Sequence, residues 1–168
     1  MNMTAVRRTT YLTWEDENWV KPTSSKRILE DFRGWGGPLK QLLSKVKDTS
    51  QWALFDAPDA KTYCNGRICL IGDAAHTSTP NQGAGSGMAY EDAYILSALL
   101  GKIKTSDQIC QAFEAFDTVR RPRIQRLVAT SRAAGALYEL VHESIGQDLA
   151  KVKENVDIRY RWIWGVAC

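Results

Sequence analysis

The stretch "RICLIGDAAHTSTPNQGAGSGMAYEDA", residues 67–93, constrains this chain more than any other. Its near-continuous apolar opening, RICLIG, reads as a strand covered on both faces, as in a parallel sheet. In open α/β sheets, ligands bind beyond the carboxyl ends of the strands. Asp73 stands there, where a carboxylate accepts hydrogen bonds from sugar or polyol hydroxyls. Pro80 stiffens the following loop. Gly83, Ala84 and Gly85 then open a helix whose unpaired N–H groups and dipole attract partial negative charge. Glycine lets a flat ring come against the backbone with no Cβ in the way. The pattern suits a planar, electron-rich ring carrying carbonyl oxygens, with a hydroxylated chain near Asp73.

A plainer reading stands beside this one. The glycines do not form GxGxxG, because Met88 occupies the place of the last glycine, and no Gly-Lys-Ser/Thr of a P-loop is present. A glycine-rich helix start can be a packing device, and His76 can be a satisfied loop histidine with no chemical role.

The remaining elements follow from local signals. "TTYLTW", residues 9–14, and "QWALFDAP" read as strands, the second ended by Pro58. Ser24 or Ser25 caps a helix that runs to Gly34, and Pro38 sits in the first turn of the next. After the glycines, Gly85, Ala89, Ala93, Leu96 and Leu100 repeat on one helical face, small to large, until Gly101. Thr105 and Gln108 make a capping-box pair ahead of a stripe of Ile109, Ala112, Phe113 and Phe116. Pro122 is expected to break or kink that helix, with a further run from Arg123 to about Val141. The aromatic tail "YRWIWGVAC" is expected to pack onto the body.

Composition excludes several classes. A 44% apolar, 24% charged chain of 168 residues is an ordinary globular protein with enough length for a real core. Its net charge of +3 gives little reason to expect a nucleic-acid surface. Arg120, Arg121, Arg123, Arg126 and Arg132 form the one basic run and read as a solvated face. Cys64, Cys69, Cys110 and Cys168 lack CxxC or metal-ligand spacing, and with two histidines no structural zinc site is expected. The N-terminus has no apolar leader, and no run approaches the ~20 apolar residues of a membrane span. The expectation is a reduced, cytoplasmic protein.

The whole string is more specific than its parts. "GDAAHTSTPNQGAG", with "EDA" soon after, resembles the second flavin-binding motif of the FAD-dependent aromatic hydroxylases, the salicylate-hydroxylase-like single-component monooxygenases. The likeness continues through "WVKPTSSKRILEDFRGW", "QWALFD" and "FDTVRRPRIQR". It implies that Asp73 meets the ribityl chain of FAD and that Pro80 lies beside the reactive edge of the ring. Gly83, Ala84 and Gly85 would face the pyrimidine carbonyls. Met88 falls where relatives often carry glutamine. The implied fold class is α/β (α+β), a truncated hydroxylase-like fold with a small sheet and a helical C-terminal half. One domain is expected over 1–168: substrate-domain-like strands and helices over 1–66, then the GDAAH strand–loop–helix and helical end over 67–168.

The family also needs a βαβ unit with GxGxxG, which holds the FAD pyrophosphate, and a segment for the nicotinamide reductant. These 168 residues contain neither. Losing several charge-assisted hydrogen bonds, at ~1.5–3 kcal/mol each, weakens binding by orders of magnitude. The isolated chain is therefore expected to retain no FAD.

Three functions stay open on this reading. The favoured one is a cofactor-independent cyclase or isomerase of natural-product biosynthesis, for example for an intramolecular cycloaddition of a terpenoid or polyketide. Such an enzyme takes a small apolar substrate in the vacated pocket. Asn81, Gln82 or helix-start N–H groups would polarise a carbonyl, and Asp73 or His76 would act as acid or base. Trp14, Trp52, Phe55 and Thr79 are the candidate pocket wall, each equally readable as core. The second function is an FAD-dependent hydroxylase fragment, or half of a split enzyme; the third is a non-catalytic scaffold. An exposed sheet edge left by the missing unit makes a homo-oligomer the expected assembly.

Overall fold

A computed structural model describes residues 4–7, 14–47, 49–57 and 59–165. The chain divides into two compact units, Met1–Ala53 and Leu54–Cys168. The mixed α/β architecture, with small sheets and a helical C-terminal half, is the one expected.

In the first unit, β1 (Val20–Thr23) pairs antiparallel with β2 (Thr49–Trp52), with Val20 opposite Trp52 and Thr23 opposite Thr49. Between them lie α1 (Ser25–Asp31) and α2 (Gly37–Leu43). Ser24 is the cap of α1: its hydroxyl accepts from Arg27 N at 3.2 Å, satisfying one orphan donor of the first turn. That helix ends at Phe32, before Gly34, because Phe32 turns inward to a buried position beside Trp35. The strand expected at 9–14 lies outside the described residues except for Trp14. The one expected over "QWALFDAP" stops at Trp52.

In the second unit, β3 (Cys64–Asn65) and β4 (Ile68–Cys69) form a tight antiparallel hairpin turning at Gly66 and Arg67. Here the expectation of a doubly covered parallel strand fails. RICLIG contributes only a short antiparallel strand, and Ile68 is 67% exposed, with Leu70 and Ile71 exposed as well. The apolar run is written for a cover that the described residues do not supply.

Next come α3 (Asp73–His76), a 3₁₀ turn over Pro80–Gln82, α4 (Gly85–Leu100), a 3₁₀ turn over Ser106–Gln108 and the long α5 (Ile109–Tyr138). Gly101 ends α4, and Thr105 with Gln108 forms the expected capping box. The spine of the unit is one face of α5. Ala112, Phe116, Arg120, Ile124, Leu127, Ser131, Ala134 and Leu137 are all buried, at the three- and four-residue spacing of a helical stripe.

Pro122 does not break this helix, which runs on for 30 residues. The carbonyl left without a helical partner is that of Thr118, and both Thr118 and Pro122 are exposed, so water can take the lost bond. The cost of an interior proline, about 3 kcal/mol, is spread over a helix buried on both sides of it.

The face of α4 also differs from expectation. Ala93 and Leu100 are exposed, whereas Met88 and Asp92 are buried. Tyr90 and Tyr94 are 79% and 73% exposed. This helix is apolar on several sides, so periodicity alone cannot choose its buried face; an ion pair chooses it, as shown below. At its glycine end the contacts are ordinary: a Cβ on Gly85 would lie 3.6 Å from the Ser78 hydroxyl and one on Gly87 3.8 Å from the Trp164 ring.

After α5, Leu140 adopts a left-handed φ of 59° and turns the chain toward α6 (Leu149–Arg159) and α7 (Arg161–Trp164). Asp148 caps α6 by accepting from Ala150 N and Lys151 N. The aromatic tail packs as expected: Ile163 is buried with Ala84, Met88 and Leu127, flanked by Tyr160 and Trp162. No helix of the described residues is long and apolar enough to cross a membrane.

Because Ile163 fastens the tail to the start of α4, Ile163→Ala should lower unfolding free energy by about 2–5 kcal/mol, the range for a buried aliphatic truncated to alanine. Urea unfolding monitored by circular dichroism checks this. A change below about 0.5 kcal/mol would mean the tail is not part of the cooperative core.

Candidate functional site

The site is built around two glycines that no other residue replaces cheaply. Gly72 has φ 58° and ψ −146°, and Gly83 has φ 61°, both in territory that side chains rarely enter. Gly72 turns the chain sharply out of the hairpin, so that Asp73 becomes the first residue of α3 with its side chain exposed. Gly83 performs the second turn, from the 3₁₀ segment into α4. No side chain caps α4, and the N–H groups of Gly85, Ser86 and Gly87 are left at its start. A Cβ on Gly83 would meet nothing within 4 Å, and on Gly85 only the Ser78 hydroxyl at 3.6 Å. Pro80 is exposed on the same loop. An exposed carboxylate, an exposed proline and an open glycine-lined helix start fit a planar, oxygen-bearing ring with a polyol attached.

The other candidates are placed differently. Asn81 sends its amide to Thr79 Oγ1 and to Ser131 O, both at 3.1 Å, so its two protons are spent inside the protein. Ser131 completes that knot by donating to Thr79 O at 2.6 Å and accepting from the Thr79 hydroxyl at 3.1 Å. Thr79 is thus a staple holding the loop to α5. Gln82 is buried; its Oε1 accepts from Thr130 at 3.0 Å, and its Nε2 has no partner among the described residues. Trp14 and Trp52 belong to the first unit, where Trp52 is 66% exposed and donates to Ser50 at 2.8 Å. Phe55 belongs to the second.

His76 is 1% exposed, and its Nε2 lies 2.6 Å from Asp92 Oδ2. An ionised carboxylate only accepts, so the imidazole Nε2 donates. Its Nδ1 has no partner among the described residues. His76 is thus held in the interior by Asp92, with its ring away from solvent.

Asp92 is the centre that composition did not reveal. Entirely buried, it accepts from His76, from Gly72 N at 3.1 Å and from Arg120 Nε at 2.8 Å. Burial works against its charge, but the bonds from His76, Arg120 and Gly72 outweigh it and hold the carboxyl below its ordinary pKa of 3.8. Arg120, 1% exposed, also reaches Glu91 Oε2 at 2.6 Å and Met88 O at 3.2 Å. Arg123 adds two bonds to Glu91 at 2.8 Å each and others to Trp162 O and Ile163 O. Arg123 and then Arg120 hold the Glu91 carboxyl below its ordinary pKa.

The solvated basic face expected for the arginine run is therefore wrong at its first member. A signal for this was present: Arg120 sits four residues after Phe116 and four before Ile124, on the apolar stripe. An arginine there requires a buried acid, and "EDA" in the facing helix supplies the buried Asp92 beside the partly exposed Glu91.

Removing one partner of this network strands the other. Asp92→Asn should destabilise the chain by about 3–5 kcal/mol at neutral pH, since Arg120 loses its buried counter-charge. A carboxyl lowered on folding contributes stability that is present above its unfolded pKa and lost as pH falls through the folded one. The gap between wild type and Asp92→Asn should hold constant above about pH 5 and close as pH falls below 3.8. Urea titrations of both proteins from pH 7 to pH 2.5 measure this. A gap that widens toward acid would sink the assignment.

Comparison with known proteins agrees with this geometry. Residues 2–131 match the family model described as FAD binding domain. A salicylate hydroxylase of Pseudomonas putida is 40% identical over 154 residues, covering 90% of this chain and 36% of the relative. A 6-methylsalicylate 1-monooxygenase of Aspergillus terreus is 35% identical over 153 residues, covering 91% and 34%. The solved structure of a salicylate hydroxylase substrate complex superposes with a TM-score of 0.89 at 40% identity, covering 96% of this chain and 40% of that one. The chain thus spans a little over a third of the length of these relatives. A family-model match over residues 2–131, most of the chain, makes it a member of the FAD binding domain family, with salicylate-hydroxylase-like relatives.

Proposed function

We propose that this chain forms the flavin-ring end of an FAD-dependent aromatic hydroxylase, acting with a nucleotide-binding unit supplied outside these 168 residues. The observation that carries the proposal is the start of α4, without a side-chain cap, behind the left-handed Gly83, with the exposed Asp73 ten residues before that glycine. In this reading the N–H groups of Gly85 to Gly87 donate to the carbonyl oxygens of the ring. Asp73 accepts from the ribityl hydroxyls, and Pro80 borders the ring's edge. Bound FAD supplies the redox chemistry, taking electrons from a reductant and using dioxygen to hydroxylate the substrate.

The chain's own part is binding and orientation. The Thr79–Asn81–Ser131 knot fixes the loop. The Asp92 clasp fixes Gly72, and with it the direction of Asp73. Gln82 is the one assigned polar side chain with an unspent donor, and it is the candidate for turning toward a ligand carbonyl. The exposed apolar residues Ile68, Leu70 and Ile71 on one element and Tyr90 and Tyr94 on another support a covering unit, which is where the missing βαβ fold would pack. An aromatic hydroxy acid is the proposed substrate class, on the strength of relatives at 40% and 35% identity named for such substrates.

The cofactor-independent cyclase draws less support. Its carbonyl-polarising Asn81 is spent on Thr79 and Ser131, and its acid–base His76 is sealed against Asp92. The same experiment separates the two. If the ring and its ribityl chain provide the affinity, riboflavin and FAD should bind this chain with the same weak affinity, within about threefold, because these 168 residues carry no GxGxxG unit to engage the pyrophosphate. Asp73→Ala should weaken riboflavin about tenfold, the scale of a lost charge-assisted hydrogen bond, and leave lumiflavin, which has no ribityl chain, unchanged. Fluorescence quenching of each flavin reads these affinities. Saturable binding of riboflavin that is no tighter than that of lumiflavin, and that Asp73→Ala leaves unchanged, would remove the assigned flavin contacts and return the cyclase to first place.

A further inference from the structure

We propose that Cys64 and Cys69 are a reversible dithiol–disulfide pair, a redox-sensitive clasp on the hairpin that leads into the Gly72–Asp73 turn. The two are direct Cα partners across β3 and β4. The next rung outward is hydrogen-bonded, Leu70 N donating to Tyr63 O at 2.8 Å. Rungs of an antiparallel ladder alternate, so Cys64 and Cys69 occupy a non-hydrogen-bonded rung, with Cα atoms ~4.5 Å apart and side chains at their closest. Disulfides span Cα separations of about 4.4–6.8 Å, so closure needs no movement of the backbone.

Both thiols are free and only partly buried, so a small oxidant can reach them. The Thr62 hydroxyl stands 3.6 Å from Cys64 Sγ, and Cys69 Sγ lies 3.8 Å from Leu70 O. Burial, and then the neighbouring Cys64, pushes the Cys69 thiol up to about 11. Cys69 therefore stays protonated at neutral pH, and reaction begins at Cys64.

The oxidant is a low-molecular-weight disulfide of the glutathione class. The Cys64 thiolate attacks one sulfur of it and expels a thiolate, leaving a mixed disulfide on Cys64. The Cys69 sulfur, giving up its proton, then attacks Cys64 Sγ and expels the second small thiolate. Two protein thiols lose two electrons and two protons, and one small disulfide becomes two thiols. Only Leu70 and Ile71 separate Cys69 from Gly72. Closing the rung therefore clamps the strand that presents Asp73.

Trypsin gives a direct readout, because it cuts after Arg67, between the two cysteines. Folded protein is equilibrated in buffers from reduced to fully oxidised glutathione, quenched in acid, alkylated and digested. Peptides 62–67 and 68–102 should appear joined, the joined form replacing the two alkylated ones as the oxidised share rises and vanishing with dithiothreitol. Cys69→Ser should instead trap glutathione on Cys64, and Cys64→Ser should leave Cys69 alkylated. The proposal is overturned if both peptides stay alkylated at every ratio, if each carries its own glutathione without joining, or if either joins Cys110 or Cys168. Joining that occurs only in urea overturns it as well, and circular dichroism at each ratio confirms that the protein is folded.

Discussion

A single buried carboxylate ties the second unit together. Asp92 binds the hairpin exit through Gly72 N, the α3 segment through His76 and the long helix through Arg120. The Gly72–His76 segment and the long helix, distant in sequence, are thus fixed against α4 at one point. Burying an ionised carboxylate alone costs several kcal/mol, and a partner charge offsets this only with good geometry and every remaining lone pair satisfied. Here each Asp92 oxygen has a charged or polar donor, and Arg120 spends its other nitrogens on Glu91 and Met88. The arrangement does little for net stability compared with a well-packed apolar core. What it fixes is register: α4 can face α5 in one rotation only.

That register explains why the glycine turn stays open. With Met88 and Asp92 directed at α5, Ala84 packs with Leu127 and Ile163, while Gly83 and Ser86 are left exposed. The Thr79–Asn81–Ser131 bonds then hold the intervening loop to the same long helix. A helix start with unpaired N–H groups is a costly thing to keep vacant in a folded protein, since those donors must find water or a ligand. The clasp and the loop knot keep them directed at the same place.

Much of this was legible from residue order. Caps are local events, so Ser24, the Thr105–Gln108 box and the Gly101 stop could be read directly, and the GDAAH string marked the turn. Other features were hidden because they depend on partners far along the chain. The RICLIG run announced burial, yet its cover is not among the described residues, so Ile68 lies exposed. Pro122 announced a break, yet the helix carries through it because its lost bond faces water. The arginine cluster announced a solvated face, and composition could not distinguish Arg120 from Arg121. Only the stripe of buried positions from Ala112 to Leu137 makes Arg120 an interior residue.

His76 shows how a motif can mislead about chemistry while remaining right about place. In a loop beside a ligand-binding turn, a histidine invites an acid–base role. Buried and paired with Asp92, it shares that carboxylate with Gly72 N, which fits a bracing role at the turn. A histidine with one nitrogen on a buried carboxylate and the other without a partner among the described residues is a positioning element with a weak point. Substituting a residue that keeps only the Nε2-like donor would separate those two features. His76→Gln can reach Asp92 with an amide proton and places no ring nitrogen in the core. If bracing is the whole role, His76→Gln should retain most of the unfolding free energy. His76→Ala, which leaves an Asp92 oxygen one donor short, should lose about 1–3 kcal/mol, as read by urea unfolding. Equal losses for the two would show that the ring itself, through packing against Tyr63, carries the contribution.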